Sequence, residues 1–227
     1  MPSPTRTLRN VALAGFAATL LGACATAPSS GPMGFFVTSV GLGKGADLGG
    51  LAGADAHCKR LATGVGAGQR NWRAYLSNSA VGNDVAAVHA RNRIGAGPWF
   101  NAKGMLIARD VAQLHANTDT SSGITKATAL DERGQTVKGR GDTPNEHDIL
   151  TGSRIDGTAF SPAYNQTCSN WTGSGDGQAM TGHHDRIGPV TDAWALSWNS
   201  SHQTRGCGQE ALKATGGAGL FYCFAAD

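Results

Sequence analysis

The run Phe35-Phe36-Val37-Thr38-Ser39-Val40 is aromatic and β-branched and is closed by Gly41 and Gly43, which predicts an opening strand. From Leu51 the period lengthens. Leu51, Ala54, Cys58, Leu61 and Ala62 share one helical face while Asp55, Lys59 and Arg60 fall off it, so a helix is expected that stops at Gly64 with Cys58 turned to the core. Trp72-Arg73-Ala74-Tyr75-Leu76 alternates large apolar with small or polar residues and predicts a second strand, and residues 84–94 predict a short helix ended by Gly95 and Pro98. Met105-Leu106-Ile107 is a short buried run, and Asp110 is placed to cap a short helix through Leu114. Residues 117–126 are polar and turn-rich, and 128–137 predict a hairpin turning at 131–134. Beyond His147, short segments recur between glycines at Ile149-Leu150, 168–171, Ala179-Met180, 194–198 and 220–224, and each is expected to be a brief strand. A helix-bearing first half followed by a strand-and-loop second half implies an α+β fold rather than a doubly wound parallel sheet.

The ends change the picture. Residues 1–10 carry Arg6 and Arg9 with no acid, and 11–21 are almost wholly apolar or small, the pattern of a signal peptide. That apolar run is far shorter than the roughly 20 residues a spanning helix needs. It closes in Leu21-Gly22-Ala23-Cys24, which resembles the lipobox of bacterial lipoproteins, where the cysteine becomes the lipidated first residue. The expected organisation is therefore a signal peptide at 1–23, a flexible tether at 24–33 beginning with lipidated Cys24, and one domain at 34–227. Ala25, where an aspartate would retain an inner-membrane lipoprotein, implies sorting to the outer membrane, on its periplasmic or surface face.

Without Arg6 and Arg9 the formal net charge of +3 becomes nearly neutral, and no block of like charges is present, so nucleic acid is not an expected partner and the membrane is reached through the lipid anchor alone. Glycine is frequent, 33 of 227 residues, against an ordinary apolar fraction, which describes a loop-rich globular chain that needs fixing. Cys58, Cys168, Cys207 and Cys223 remain in the domain, an even set that reads as a disulfide framework with three possible connectivities. No C-x-x-C pair occurs among them, which excludes zinc-ribbon and thioredoxin-like readings.

Several of these strings, taken in order, resemble endostatin, the C-terminal domain of certain collagens. They are Phe36-Val37-Thr38-Ser39-Val40, Gly53-Ala54-Asp55-Ala56-His57-Cys58, Trp72-Arg73-Ala74-Tyr75-Leu76-Ser77, Gly97-Pro98-Trp99-Phe100-Asn101, Thr151-Gly152-Ser153, Cys168-Ser169-Asn170-Trp171, Gly177-Gln178-Ala179 and Leu220-Phe221-Tyr222-Cys223. The chain is also similar to exported bacterial proteins described as lectins. The resemblance implies a C-type-lectin-like, endostatin-like fold with short strands, one or two helices, long loops and nested disulfides, Cys58 with Cys223 and Cys168 with Cys207. The zinc site of endostatin uses histidines near that domain's N-terminus, which have no counterpart at the start of this domain.

Calcium-dependent lectins carry a Glu-Pro-Asn type tripeptide and a later Trp-Asn-Asp. Here Thr143-Pro144-Asn145-Glu146 and Trp198-Asn199-Ser200 stand in that order with two of the acids replaced, and calcium wants six to eight oxygen ligands. Asn145, Glu146, Trp198, Asn199, Ser200 and His202 are the candidate ligand-binding residues, with an exposed Trp194 or Trp198 as a stacking platform for a sugar ring. His183, Asp185 and His202 are candidate ligands for a metal such as Zn2+. Arg140-Gly141-Asp142 has the form of an adhesion tripeptide, and Asp142 equally suits the start of a turn. No G-x-S-x-G, H-E-x-x-H, P-loop or strand-borne G-x-G-x-x-G is present, so no catalytic residues are assigned and no resident cofactor is expected beyond the Ca2+ or Zn2+ considered above. The leading expectation is an exported recognition domain, not an enzyme, that binds a glycan or another envelope ligand. The alternatives are a structural or protein-interaction lipoprotein of the outer membrane with an envelope protein as partner, and a metal-dependent hydrolase.

Overall fold

The computed structural model describes residues 1–3, 30–82, 85–116 and 122–227. Residues 4–23 of the expected signal peptide, the lipidation position Cys24 and most of the tether lie outside the described residues, as do 83–84 and 117–121. No helix among the described residues is long and apolar enough to cross a membrane.

Strand β7 (Gly217–Ala225) is the spine. Its outer half pairs antiparallel with β1 (Phe35–Val37) and with β2 (Trp72–Ala74), and its inner half pairs in parallel with β5 (Asp148–Leu150), which carries β6 (Thr181–His183) on its far side. A separate two-stranded ribbon joins β3 (Trp99–Phe100) to β4 (Leu106–Ala108). Successive strand side chains point to opposite faces, and the spine uses both. Phe221, Cys223 and Ala225 join Phe36, Trp72 and Ala74 against helix α1 (Gly50–Gly64), whereas Leu220, Tyr222 and Phe224 join Phe35, Val37, Tyr75, Trp99 and Trp198 on the other side. The architecture is α+β with few helices and small sheets.

Helix α1 buries Ala54, His57, Cys58 and Ala62, the face its spacing predicts apart from His57. From that face Cys58 reaches β7 and bonds Cys223, and Cys168 bonds Cys207 within the interval so closed, which makes the two bridges nested. On its outer side Asp55 accepts hydrogen bonds from Arg93 at 2.6 and 2.8 Å, from Arg73 at 3.0 Å and from the Ala74 backbone at 2.8 Å, which ties helix α1 to β2. Helix α2 (Val111–His115) starts where expected, with the Asp110 carboxylate accepting from the Gln113 N–H. The 128–137 hairpin is present as the Leu130 to Thr136 bridge, closed by an Asp131 N–H to Gln135 bond.

Three elements differ from the pattern-based expectation. The helix expected at 84–94 is reduced to one 3-10 turn (Ala90–Asn92), because Val81 bonds Val85 and Asn78 bonds Val88 across a tight antiparallel turn. Valines three and four residues apart imitate a helical stripe, but β-branched side chains accept the extended pairing at least as well. The expected strand at Cys168–Trp171 is a left-handed turn, φ being +46°, +57°, +56° and +66° along the four residues. It is held by the disulfide at Cys168, by Thr167 and Asn165 side chains accepting from the Asn170 and Ser169 N–H groups, and by the Trp171 indole donating to Ser77. The 194–198 segment turns instead of extending, with the Ala195 and Leu196 N–H groups both donating back to Asp192.

Candidate functional site

Register builds a buried polar cluster. Asp148 on β5 lies opposite His183 on β6, so the two side chains share a face. His147 precedes Asp148 and stacks its ring on that of His183, with centroids 4.1 Å apart. His202 closes the group from the following loop, its ring edge-on to His183 at 5.1 Å. The Nε2 atoms of His147, His183 and His202 each stand 3.3 Å from the same oxygen, Asp148 Oδ1. Histidines 147 and 183 and Asp148 are at most 2% exposed, and the His202 side chain keeps 30% of its surface and forms the outer wall.

Separation and direction disagree inside this cluster. The atoms are close enough to attract, yet neither Asp148 oxygen nor His183 Nε2 has an aligned hydrogen-bond partner, a costly state for interior polar atoms. Burial works against the Asp148 charge, but the facing imidazoles of His183 and His202 and the positive charge at His202 and His147 outweigh it and hold the carboxyl at about 2. The same contact raises the His202 imidazole, the facing Asp148 carboxylate being the leading cause and burial opposing it. Asp185 is likewise held low. Burial opposes its charge, and the His147 ring with the Arg140 and Ile187 N–H groups overcomes that.

Of the residues nominated as metal ligands, His183 and His202 therefore meet, while Asp185 stands behind them, 3.3 Å from His147 Nδ1. His147 and Asp148 take the remaining places. The signal that would have found them is the cross-strand register of β5 and β6, which adjacency in sequence does not carry.

The expected sugar platform divides. Trp198 is 4% exposed, packed on Tyr75, Tyr222 and His115, and Asn199 is fully buried. The Asn199 amide donates to the Tyr75 hydroxyl and to the Arg154 and Ile155 carbonyls, and its oxygen accepts from Ser197. Both expectations of direct ligand contact are corrected for that reason, and the Trp-Asn half of a lectin-type calcium set is spent on the interior. Gly182 makes the approach possible, since a Cβ there would lie 1.9 Å from the Trp198 carbonyl oxygen. Asn145 turns inward along the backbone, its side chain accepting from the His147 N–H at 3.3 Å, and Glu146 is half-buried beside it, outside the histidine cluster. Asp142 of the Arg-Gly-Asp string closes the 139–142 turn instead of starting one, its N–H donating to the Gly139 carbonyl and its carboxylate accepting from the Gly139 N–H and pairing with Lys126.

Trp194 goes the other way. Trp72, Trp99, Trp171 and Trp198 are interior, and Trp194 alone of the five is exposed, at 44%. It lines an open cleft with Arg154, Ile155, Asp156, Phe160 and Ser200, in which the Arg154 guanidinium sits 5.4 Å from the Phe160 ring centre. Asp156 is fixed by accepting from the Thr158 N–H and hydroxyl.

A serine–histidine–aspartate order also passes through the cluster, with Ser201 Oγ 3.1 Å from His183 Nδ1. Its proton traffic runs the wrong way for a nucleophile. Ser201 donates to the Trp194 carbonyl at 2.7 Å, and His183 Nδ1 faces the Ala195 carbonyl at 2.6 Å, which requires that nitrogen to carry the proton. A general base needs a lone pair there.

No protein-family model matches the chain, and no curated protein is similar to it at a significant level.

Proposed function

We propose that the chain is an exported, lipid-anchored recognition domain of C-type-lectin-like, endostatin-like fold, not an enzyme, whose ligand is a glycan held in the Trp194 cleft. The observation that carries this reading is the exposed indole of Trp194 beside Phe160, Arg154, Asp156 and Ser200. An aromatic face offers apolar contact to the C–H face of a sugar ring, while a guanidinium, a carboxylate and a hydroxyl at its rim bond the ring's hydroxyls. The nested interior disulfides are in keeping with an oxidising compartment. The Leu21-Gly22-Ala23-Cys24 string supplies the anchor and, with Ala25, the outer-membrane destination. The proton arrangement at Ser201 and His183 favours binding over hydrolysis.

A glycan array probed with the full-length chain, with calcium present and with calcium omitted, tests the reading. Binding to a restricted glycan set in both conditions is expected, since the cleft brings no calcium ligand set. An array without specific signal would turn the proposal toward an envelope protein as the partner.

A further inference from the structure

We propose that His147, Asp148 and His183 form a Zn2+ site, with two imidazole nitrogens and one carboxylate oxygen as ligands and His202 as its outer wall. The inference is independent of the glycan reading. In a regular tetrahedron the ligand-to-ligand edge is about 1.63 times the metal–ligand distance, so Zn–N and Zn–O bonds of about 2.0 to 2.1 Å require edges of about 3.3 to 3.4 Å. Two such edges, from His147 Nε2 and His183 Nε2 to Asp148 Oδ1, measure 3.3 Å here. The ligand atoms of His147, Asp148 and His183 lie within 4.8 Å of one another. The misaligned contacts have the same cause. Groups gathered to share an ion need not be aligned as one another's hydrogen-bond partners, and neither Asp148 oxygen nor His183 Nε2 has one while 1 to 2% exposed.

The outer shell is built to match. A metal-binding imidazole commonly presents its other nitrogen to a carboxylate or a backbone carbonyl, which fixes both ring orientation and tautomer. His147 Nδ1 faces Asp185 Oδ1 at 3.3 Å, His183 Nδ1 faces the Ala195 carbonyl at 2.6 Å, and His202 Nδ1 faces the Gln203 carbonyl at 3.1 Å. All three rings thus turn Nε2 inward. Two imidazoles with a single carboxylate suit zinc and not calcium, which takes six to eight oxygens. These three ligands would join β5 to β6 and leave a fourth position open to water or a ligand.

Titration of the metal-stripped full-length chain with zinc chloride, followed by calorimetry, is the test, with Co2+ as the spectroscopic substitute. One zinc per chain, the intense visible bands of tetrahedral cobalt and a rise in melting temperature on loading are expected, with no heat from calcium. His183→Asn, checked for folding by circular dichroism, should lose the tetrahedral cobalt spectrum. Asp185→Asn, a positioning change, should weaken zinc about 10- to 100-fold. A wild-type chain that takes up no stoichiometric zinc, or a folded His183→Asn variant with wild-type affinity and an unchanged cobalt spectrum, would overturn the site.

Discussion

Acidification should unlock the polar chain beneath Trp198. Asn199 donates to the Tyr75 hydroxyl at 2.9 Å, that hydroxyl lies 2.7 Å from His115 Nε2, and His115 Nδ1 lies 2.8 Å from the Val111 carbonyl. A carbonyl only accepts, so Nδ1 carries the proton and Nε2 receives the Tyr75 hydroxyl, which fixes a neutral ring between the Tyr75 and Trp198 aromatics. Protonation at Nε2 would set two donors against each other in an apolar surround. Burial is the leading cause that lowers this imidazole from 6.5 to about 4. Between those values the unfolded chain binds the proton and the native chain does not, so the contribution is fully present above pH 6.5, declines on acidification and is gone below about pH 4. The interval corresponds to about 3 kcal/mol. Urea unfolding across this range, in wild type and in His115→Gln, isolates the group, because the other titrating residues cancel in the difference. The variant should be the less stable at neutral pH and the gap should close by about 2 to 3 kcal/mol toward pH 4. A gap that stayed constant with pH would refute the neutral buried ring.

Two further outcomes follow from the frame. Replacing Cys58 and Cys223 by alanine opens a loop of 165 residues, for which chain entropy gives a loss of about 5 kcal/mol, against about 4 kcal/mol for the 39-residue interval of Cys168 and Cys207. Denaturant midpoints of both double variants check this, and wild-type midpoints would contradict it. Asp55→Asn leaves the largely buried Arg93 without its counter-charge and should cost about 3 kcal/mol, read as a lower melting temperature, with Asp55→Glu recovering part of the loss.

Elements that carry their own period were legible from the chain. The apolar run Leu220 to Phe224 serves a spine buried on both faces, and the stripe through Ala54, Cys58 and Ala62 is the packed face of helix α1. Where geometry is imposed from a distance, the local pattern misled. Val81, Val85 and Val88 have helical spacing but answer to cross-chain bonds, and Cys168–Trp171 takes a left-handed path that no propensity favours, because a disulfide and three side-chain hydrogen bonds over-determine it. The candidate sites show the same division. Histidines 183 and 202 stand out as residue types, whereas Asp148 becomes their partner only through the β5–β6 register. Composition distinguishes Trp194 from Trp198 no better, since both flank the same turn. Tertiary packing separates them, since the Trp198 ring lies on Tyr75, Tyr222 and His115 in the interior and that of Trp194 lines the open cleft.

The most direct test of the central claim is the affinity of wild type and Trp194→Ala for the glycan bound best on the array, measured by calorimetry with unfolding monitored in parallel. Loss of a stacking indole predicts affinity weaker by about 2 kcal/mol, or roughly 30-fold, with the melting temperature unchanged because the ring is exposed. Equal affinity in the two proteins would show that the ligand is held elsewhere and would contradict the Trp194 cleft as the recognition site.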